Sequence, residues 1–353
     1  MKYVVSIFLL LTVLSCGFCF YRNYQKINLG EMVNPMGIGG ESREGEYTKY
    51  DFDSLKKRGG IVGDIKIGEK LKLIDQKRGE TCLKSDKISK IQCQLDKKFI
   101  TKEMSFISNG KTVSGMINYF DDGQKHPVIV MIRGFADNEG YYIGSGSWKP
   151  ADQFAQNGYV TVSLDFLGFG DSDSESRDIL EARFEKVDTV LDLIESIKKL
   201  DFVDPEKIGI WAHSNGGQIA LSVLEISGGN YPTSLWAPMT NPFPQSVLDT
   251  AGNDENGQKV KNKISNFEKE YDSRRYAFEN YYGWIKAPVQ IHQGTGDVWC
   301  DVDWQKKVIE GIKSFNKEAN LFVYNGDDHN LKNNWDVVIS RDLGFYNDAL
   351  LKK

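Results

Sequence analysis

The sequence predicts an α/β fold: a mostly parallel central sheet with helices on both faces. Two patterns predict it. Short continuous apolar runs, such as Val128–Ile132 and Tyr159–Leu164, are what strands buried on both faces require. Segments with helical spacing lie between them, as in Phe184, Val187, Val190, Leu191, Ile194 and Ile197. Strands that alternate with helices in this way build a parallel sheet covered on both sides.

The elements follow in chain order. Phe99 to Ser108 alternates like a strand, Asn109-Gly110 is a hairpin turn, and Thr112 to Tyr119 is the return strand. Val128–Ile132 and Tyr159–Leu164 are the next strands, and Arg183–Leu200 is a helix. Ile208–Ala212 is a strand that leads into a helix from about Asn215 to Ile226. A short strand (Ser234–Ala237) precedes a small, polar helical insertion near 242–285. The chain then reads strand Val289–Gln293, helix Val302–Phe315, strand Leu321–Tyr324 and helix Trp335–Leu350.

Upstream the pattern differs. Residues 1–21 read as a signal peptide or membrane anchor, because Tyr3 to Tyr21 carry no charge and Lys2 and Arg22 flank them. Three fates fit: a retained anchor, cleavage after Gly17, or lipid attachment at Cys16 in an imperfect Val13-Leu14-Ser15-Cys16 lipoprotein box. All three place the body outside the cytoplasm, membrane-anchored as a signal anchor or lipoprotein, or secreted after cleavage. Residues 22–98 form an N-terminal arm. Its first part, to about residue 60, is rich in Gly, Asn, Glu and Lys and reads as a tether or loosely ordered segment. A strand-like stretch (Ile61–Ile67) follows. Cys82 and Cys93 then bound a loop that an oxidising compartment would close with a disulfide, unless both stay free thiols. Residues 99–353 form the α/β domain. The formal charge of −5 provides no field to hold nucleic-acid phosphates.

One motif carries most of the functional weight. Ile208-Gly209-Ile210-Trp211-Ala212-His213-Ser214-Asn215-Gly216-Gly217 runs strand, sharp turn, helix, with Ser214 at the turn. Small neighbours let the backbone segments approach, and the helix aims its first N–H groups at a developing oxyanion. The stretch resembles the nucleophile elbow of the α/β-hydrolase superfamily, with Ala212 in place of the first glycine. Val203-Asp204-Pro205-Glu206-Lys207-Ile208-Gly209-Ile210, the late Ile291-His292-Gln293-Gly294-Thr295-Gly296-Asp297 and Asp328-His329-Asn330 are similar to the prolyl-oligopeptidase-like and dienelactone-hydrolase-like branch.

The resemblance implies a triad in the order Ser, Asp, His. Ser214 is the nucleophile, Asp297 the acid and His329 the base. Asp301, Asp303, Asp327 and Asp328 compete less well for the acid, and His126, His213 and His292 for the base. The oxyanion hole takes the amides of Asn215 and Phe135, the latter in Arg133-Gly134-Phe135-Ala136, where Arg133 replaces a common histidine. Arg133 reads as a structural ion-pair partner or as a ligand for a substrate carboxylate. Asp165-Phe166-Leu167-Gly168-Phe169-Gly170-Asp171-Ser172 resembles a loop-shaping turn of the same superfamily. The aromatic residues between Tyr271 and Trp284 pack the insertion onto the body or line an acyl pocket. No metal or organic cofactor is needed. The expected activity is serine hydrolysis of an ester or a short peptide, outside the cytoplasm. Residues 22–98 are too few for the propeller of roughly 300 residues that screens peptides by size in full-length relatives, so ester and peptide substrates both stay open. The alternative is a non-catalytic extracytoplasmic binding protein on the same scaffold.

Overall fold

A computed structural model describes residues 47–83 and 99–352. Its strands are β1 (Ile65–Lys70), β2 (Ile100–Ser108), β3 (Lys111–Tyr119), β4 (His126–Ile132), β5 (Val160–Leu164), β6 (Val203–His213), β7 (Thr233–Trp236), β8 (Val289–Gly294) and β9 (Ala319–Tyr324). Its helices are α1 (Phe52–Arg58), α2 (Lys72–Leu83), α3 (Trp148–Gln156), α4 (Ile179–Ile197), α5 (Gly216–Ser227), α6 (Gln245–Leu248), α7 (Glu255–Glu270), α8 (Val302–Ser314) and α9 (Trp335–Tyr346). The strands make one sheet in the order β1-β2-β3-β5-β4-β6-β7-β8-β9. The pairs β1/β2, β2/β3 and β3/β5 are antiparallel, and the rest are parallel. The fold class is therefore as the sequence predicts.

The sheet is buried on both faces because successive side chains point to opposite sides. Along β4, Val128, Val130 and Ile132 join a core on one face, together with Val190, Ile194, Ile219, Leu224 and Ile312 from α4, α5 and α8. Ile129 and Met131 point the other way, into a core with Phe154 of α3, Val338 and Tyr346 of α9, Trp211 and Trp236. Every residue of α5 from Gly216 to Ile226 is buried, the polar Gln218, Ser222 and Glu225 included, as befits a helix enclosed on all sides. Gly228 ends it in the left-handed conformation. The Asn109-Gly110 turn has φ of 47° and 75°, the positive pair that a two-residue hairpin loop of this twist needs, and Ser108 faces Lys111 across it.

The strand order creates the site. From β4 the chain moves outward to β5, then crosses back to place β6 on the other side of β4. Connections that leave neighbouring parallel strands in opposite directions open a crevice at their carboxyl ends, where ligands bind in open α/β sheets.

From residue 47 on, the N-terminal segment differs from the loosely ordered tether expected for residues 22 to about 60, of which 22–46 lie outside the described residues. Asp51 caps α1 through the Ser54 amide (2.7 Å), and Tyr47, Tyr50, Phe52 and Leu55 are buried against the body. Arg58 pairs with the buried Asp192 at 2.8 Å, and Asp51 pairs with Arg275 at 2.7 Å. Composition hid this because the contacts are tertiary: Phe52 stacks on Tyr281, and Tyr47 and Tyr50 meet Phe184 of α4. The apolar segment 3–21, Cys93 and the side chain of Cys82 lie outside the described residues, and with them the anchor and disulfide expectations. Among the described residues no helix is long and apolar enough to cross a membrane.

Two buried carboxyls make opposite predictions. Asp342 on α9 accepts from Ser234 (2.5 Å), Gln290 (2.7 Å), Trp236 Nε1 (2.8 Å) and His292 (3.0 Å), which ties the helix to β7 and β8. Asp342→Ala leaves these donors unpaired and is expected to cost about 3–5 kcal/mol in urea unfolding; a loss under about 0.5 kcal/mol, the range of a surface substitution, contradicts this role. Glu225 on α5 is fully buried, neither oxygen has a hydrogen-bond partner among the described residues, and burial raises its carboxyl well above the ordinary range. Glu225→Met is expected to stabilise the protein by about 1–3 kcal/mol, since it removes an unmet desolvation cost. A lowered melting temperature would contradict that account.

Candidate active site

Ser214 stands where β6 turns into α5, with φ 52°, a left-handed value that L side chains rarely adopt. Backbone bonds over-determine the turn. The Ser214 amide donates to Trp236 O (3.0 Å), and its carbonyl accepts from Gly217 (2.9 Å) and Met239 (2.8 Å). Packing requires the glycines around it. A Cβ on Gly216 would lie 2.4 Å from Ile132 O, and one on Gly217 would lie 2.2 Å from Pro238 Cβ. A Cβ on Gly134, in the loop after β4, would lie 2.8 Å from Ser214 Cβ. That loop therefore runs directly against the serine.

The backbone amides of Phe135 and Asn215 donate no hydrogen bond to any described group. Phe135, Asn215 and Ser214 line one cavity of about 170 Å³. Two unspent donors beside a serine are the arrangement that stabilises an oxyanion. The Asn215 side chain is engaged elsewhere, accepting from Gln218.

Asp297 and His329 come together from the loops after β8 and β9. His329 Nδ1 lies 2.8 Å from Asp297 Oδ2. Asp297 also accepts from the amides of Trp299 (2.8 Å) and Cys300 (3.1 Å) and from Gln293 Nε2 (2.9 Å). Burial pushes its carboxyl up, but the bond to His329, the histidine's charge, the Trp299 amide and Gln293 outweigh it and hold the group below its usual 3.8. The carboxylate stays ionised and faces the imidazole.

His213 is a residue that sequence reasoning turned away from. Its ring centroid lies 4.8 Å from that of His329, and its Nε2 is 3.0 Å from His329 O, so it braces the loop that carries His329. Desolvation lowers its pKa to about 4, which keeps it neutral and able to donate to that carbonyl. Its adjacency to Ser214 was the available signal. Ser214 Oγ itself makes no hydrogen bond among the described residues, to His329 or to any other group.

The competitors take structural places. His126 bonds Asp122 and stacks on Phe120. His292 is buried between Tyr324 and Asp342. Asp301 caps α8 through the Asp303 amide, Asp303 pairs with Lys306, and Asp327 and Asp328 fold the loop around His329. Among the described residues Arg133 does not pair with a carboxylate. It donates to Tyr141 Oη, Gly134 O and Asp165 O, which ties the loop after β4 to the turn after β5. Tyr276 and Phe278 of the aromatic run line the cavity. Donor atoms of Asp297, Cys300 and His329 lie within 4.8 Å of one another. Two of them are already bonded to each other, and burial raises the Cys300 thiol well above its ordinary value, so this set has the chemistry of an oriented imidazole rather than a metal cage.

The sequence model of the family described as alpha/beta hydrolase fold matches residues 127–233, which run from β4 through the serine turn to β7. This chain has the α/β-hydrolase fold. It is similar to Porphyromonas gingivalis dipeptidyl peptidase 4, with a TM-score of 0.60 and 17% identity over 75% of this chain and 38% of that one. It is similar to an acetyl xylan esterase from Paenibacillus sp. R4, with a TM-score of 0.59 and 14% identity over 86% and 96%. An uncharacterized 31.7 kDa protein of Escherichia coli is 29% identical over 93 residues, 26% of this chain and 30% of that protein. The chain thus spans under a third of this curated relative and under two fifths of the dipeptidyl peptidase. At these identities the solved structures share the hydrolase fold.

The lowered Asp297 value has a testable sign. A carboxyl held below its unfolded-state value stabilises the fold at neutral pH and loses that contribution as pH falls through the lowered value. Wild type is therefore expected to be more stable than Asp297→Asn at pH 7, with the gap narrowing below about pH 4. Urea unfolding at several pH values measures it; a gap that widens on acidification contradicts the assignment.

Proposed function

We propose that the protein is an extracytoplasmic serine hydrolase that cleaves an ester or peptide bond. The observation that carries this reading is the 2.8 Å Asp297–His329 bond, which follows β8 and β9 on the sheet edge that also carries Ser214. The match to the hydrolase family model and the fold shared with both a peptidase and an esterase support the reaction class.

In the proposed reaction His329 Nε2 takes the proton from Ser214 Oγ as the oxygen attacks the carbonyl carbon. Asp297, bonded to Nδ1, holds the tautomer and stabilises the imidazolium that forms. The Phe135 and Asn215 amides receive the oxyanion. His329 then returns the proton to the leaving oxygen or nitrogen as the carbonyl–leaving group bond breaks. Water, deprotonated by the same imidazole, attacks the acyl-enzyme and releases the acid.

A second reading, a binding protein on a hydrolase scaffold, is favoured by the missing Ser214–His329 hydrogen bond. Such contacts are commonly loose before substrate binds, so the geometry of the free protein does not decide against catalysis. Covalent labelling separates the two. A fluorophosphonate probe is expected to label the wild type at Ser214 and to leave Ser214→Ala unlabelled, with ester turnover falling by at least about 10³-fold. A folded wild type that takes no label would end the hydrolase reading.

A further inference from the structure

The cavity that opens at Ser214 has an unusual charge. Its walls are largely apolar, with Phe52, Leu55, Phe184, Phe243 and Phe278 among them. Its charged lining residues are Arg133, Arg183, Lys186 and Glu175, three cations against one carboxylate in a chain whose net charge is −5. Arg133 is spent on its three loop contacts. Lys186 stands 3.8 Å from Glu175. Burial raises the Glu175 carboxyl while the Lys186 charge lowers it, and this single acid of the lining faces Lys186 rather than Arg183.

Arg183 differs from the other two. It projects from α4, is partly buried, and lines the cavity. Its Nη2 donates to two neutral oxygens, Gln218 Oε1 and Ser246 Oγ (2.7 Å). It forms no ion pair with a carboxylate among the described residues. The acids near it on α4 are committed elsewhere: Glu181 to Lys49, Tyr50 and Ser176, and Glu185 to Lys111 and the Ser176 amide. Desolvation alone lowers its pKa, to about 10, and the guanidinium remains charged at neutral pH. A desolvated cation without a counter-charge is costly to hold in a fold, and a ligand anion relieves that cost. Gln218 links the cation to the active centre, because the same side chain donates to Asn215 Oδ1 and accepts from Arg183.

We propose that Arg183 is the anion-recognition residue of the substrate pocket, and that the substrate carries a carboxylate separated from the scissile carbonyl by an apolar spacer. The spacer lies against the phenylalanines and Leu55. The carboxylate takes the free Nε and Nη1 donors of Arg183, with Lys186 adding to the field. This rests on reading the cavity as the substrate site of a serine hydrolase. It narrows the ester-or-peptide class to acidic acyl or acidic side-chain substrates.

The test is equilibrium binding to the full chain, which requires no turnover. Isothermal titration compares 4-phenylbutyrate with its neutral isostere 4-phenylbutanamide. Wild type is expected to bind the carboxylate at least about tenfold more tightly, the size of a charge-assisted hydrogen bond. Arg183→Met is expected to bring the two affinities within about threefold, and Arg183→Lys, which keeps the charge, to retain a preference. Equal affinities in wild type overturn the proposal, whether or not the methionine variant folds. So does an undiminished preference in Arg183→Met, which would place the carboxylate on the oxyanion donors instead. Failure of fluorophosphonate labelling would end the hydrolase reading while leaving this measurement intact, so the two failures are distinguishable.

Discussion

The site depends on one strained residue. Ser214 holds φ at 52°, a left-handed conformation that costs a non-glycine residue roughly 1–3 kcal/mol. It persists because backbone bonds to Trp236, Gly217 and Met239 enclose it and because no side chain intrudes at Gly216, Gly217 or Gly134. Those three close approaches determine much of the surrounding architecture. They bring the end of β4 against the turn, draw the first turn of α5 under it, and bring Pro238, beyond the end of β7, onto Gly217. The unspent amides of Phe135 and Asn215 result from the same packing. A turn with an ordinary φ would relax the strain and move the hydroxyl away from both donors.

The imidazole is placed by two independent constraints. Asp297 binds Nδ1 from one side, itself held by three other donors, so its position does not depend on the histidine. His213 holds the His329 backbone from the other side and packs ring against ring. Because desolvation keeps His213 neutral at ordinary pH, it adds no positive charge beside the imidazolium that catalysis would form. The arrangement therefore orients the His329 imidazole from one side with a carboxylate and from the other with a neutral donor. A cation at position 213 would work against the intermediate.

Much of this is legible in the sequence, for local reasons. The β4 run, the Asn109-Gly110 turn and the strand–serine–helix motif signal themselves within ten residues, because backbone conformation and two-sided burial are properties of short segments. Asp297 and His329 are legible through chain order and the loops that follow strands. What escaped depends on contacts distant in sequence. Tyr47, Tyr50, Phe52 and Leu55 sit in a segment of loop-like composition, and their order comes from Phe184, Phe267 and Tyr281. His292 reads as a triad candidate until Asp342, fifty residues away, absorbs it. Arg183 looks like one polar residue on an amphipathic helix. Only the tertiary fold shows that its face of α4 borders the cavity rather than solvent.

That border separates chemistry from recognition. The groups proposed to make and break bonds lie on loops at the carboxyl edge of the sheet, after β4, β6, β8 and β9. The groups that shape the cavity come from elsewhere: Tyr50, Phe52 and Leu55 from the N-terminal segment, Arg183 and Phe184 from α4, and Phe243, Tyr276 and Phe278 from the insertion. Sheet-edge geometry tolerates little change, because the strained turn and its glycines leave no room. The cavity wall is held by side-chain packing between separate elements, which can be exchanged without moving the serine. Two proteins with the same sheet edge can therefore differ completely in substrate, as a peptidase and an esterase that share this fold illustrate. In this chain the wall combines aromatic surface with an uncompensated guanidinium. If this cavity is the substrate site, as proposed, its selectivity would be set by residues outside the serine motif, and in part by a segment that precedes β1.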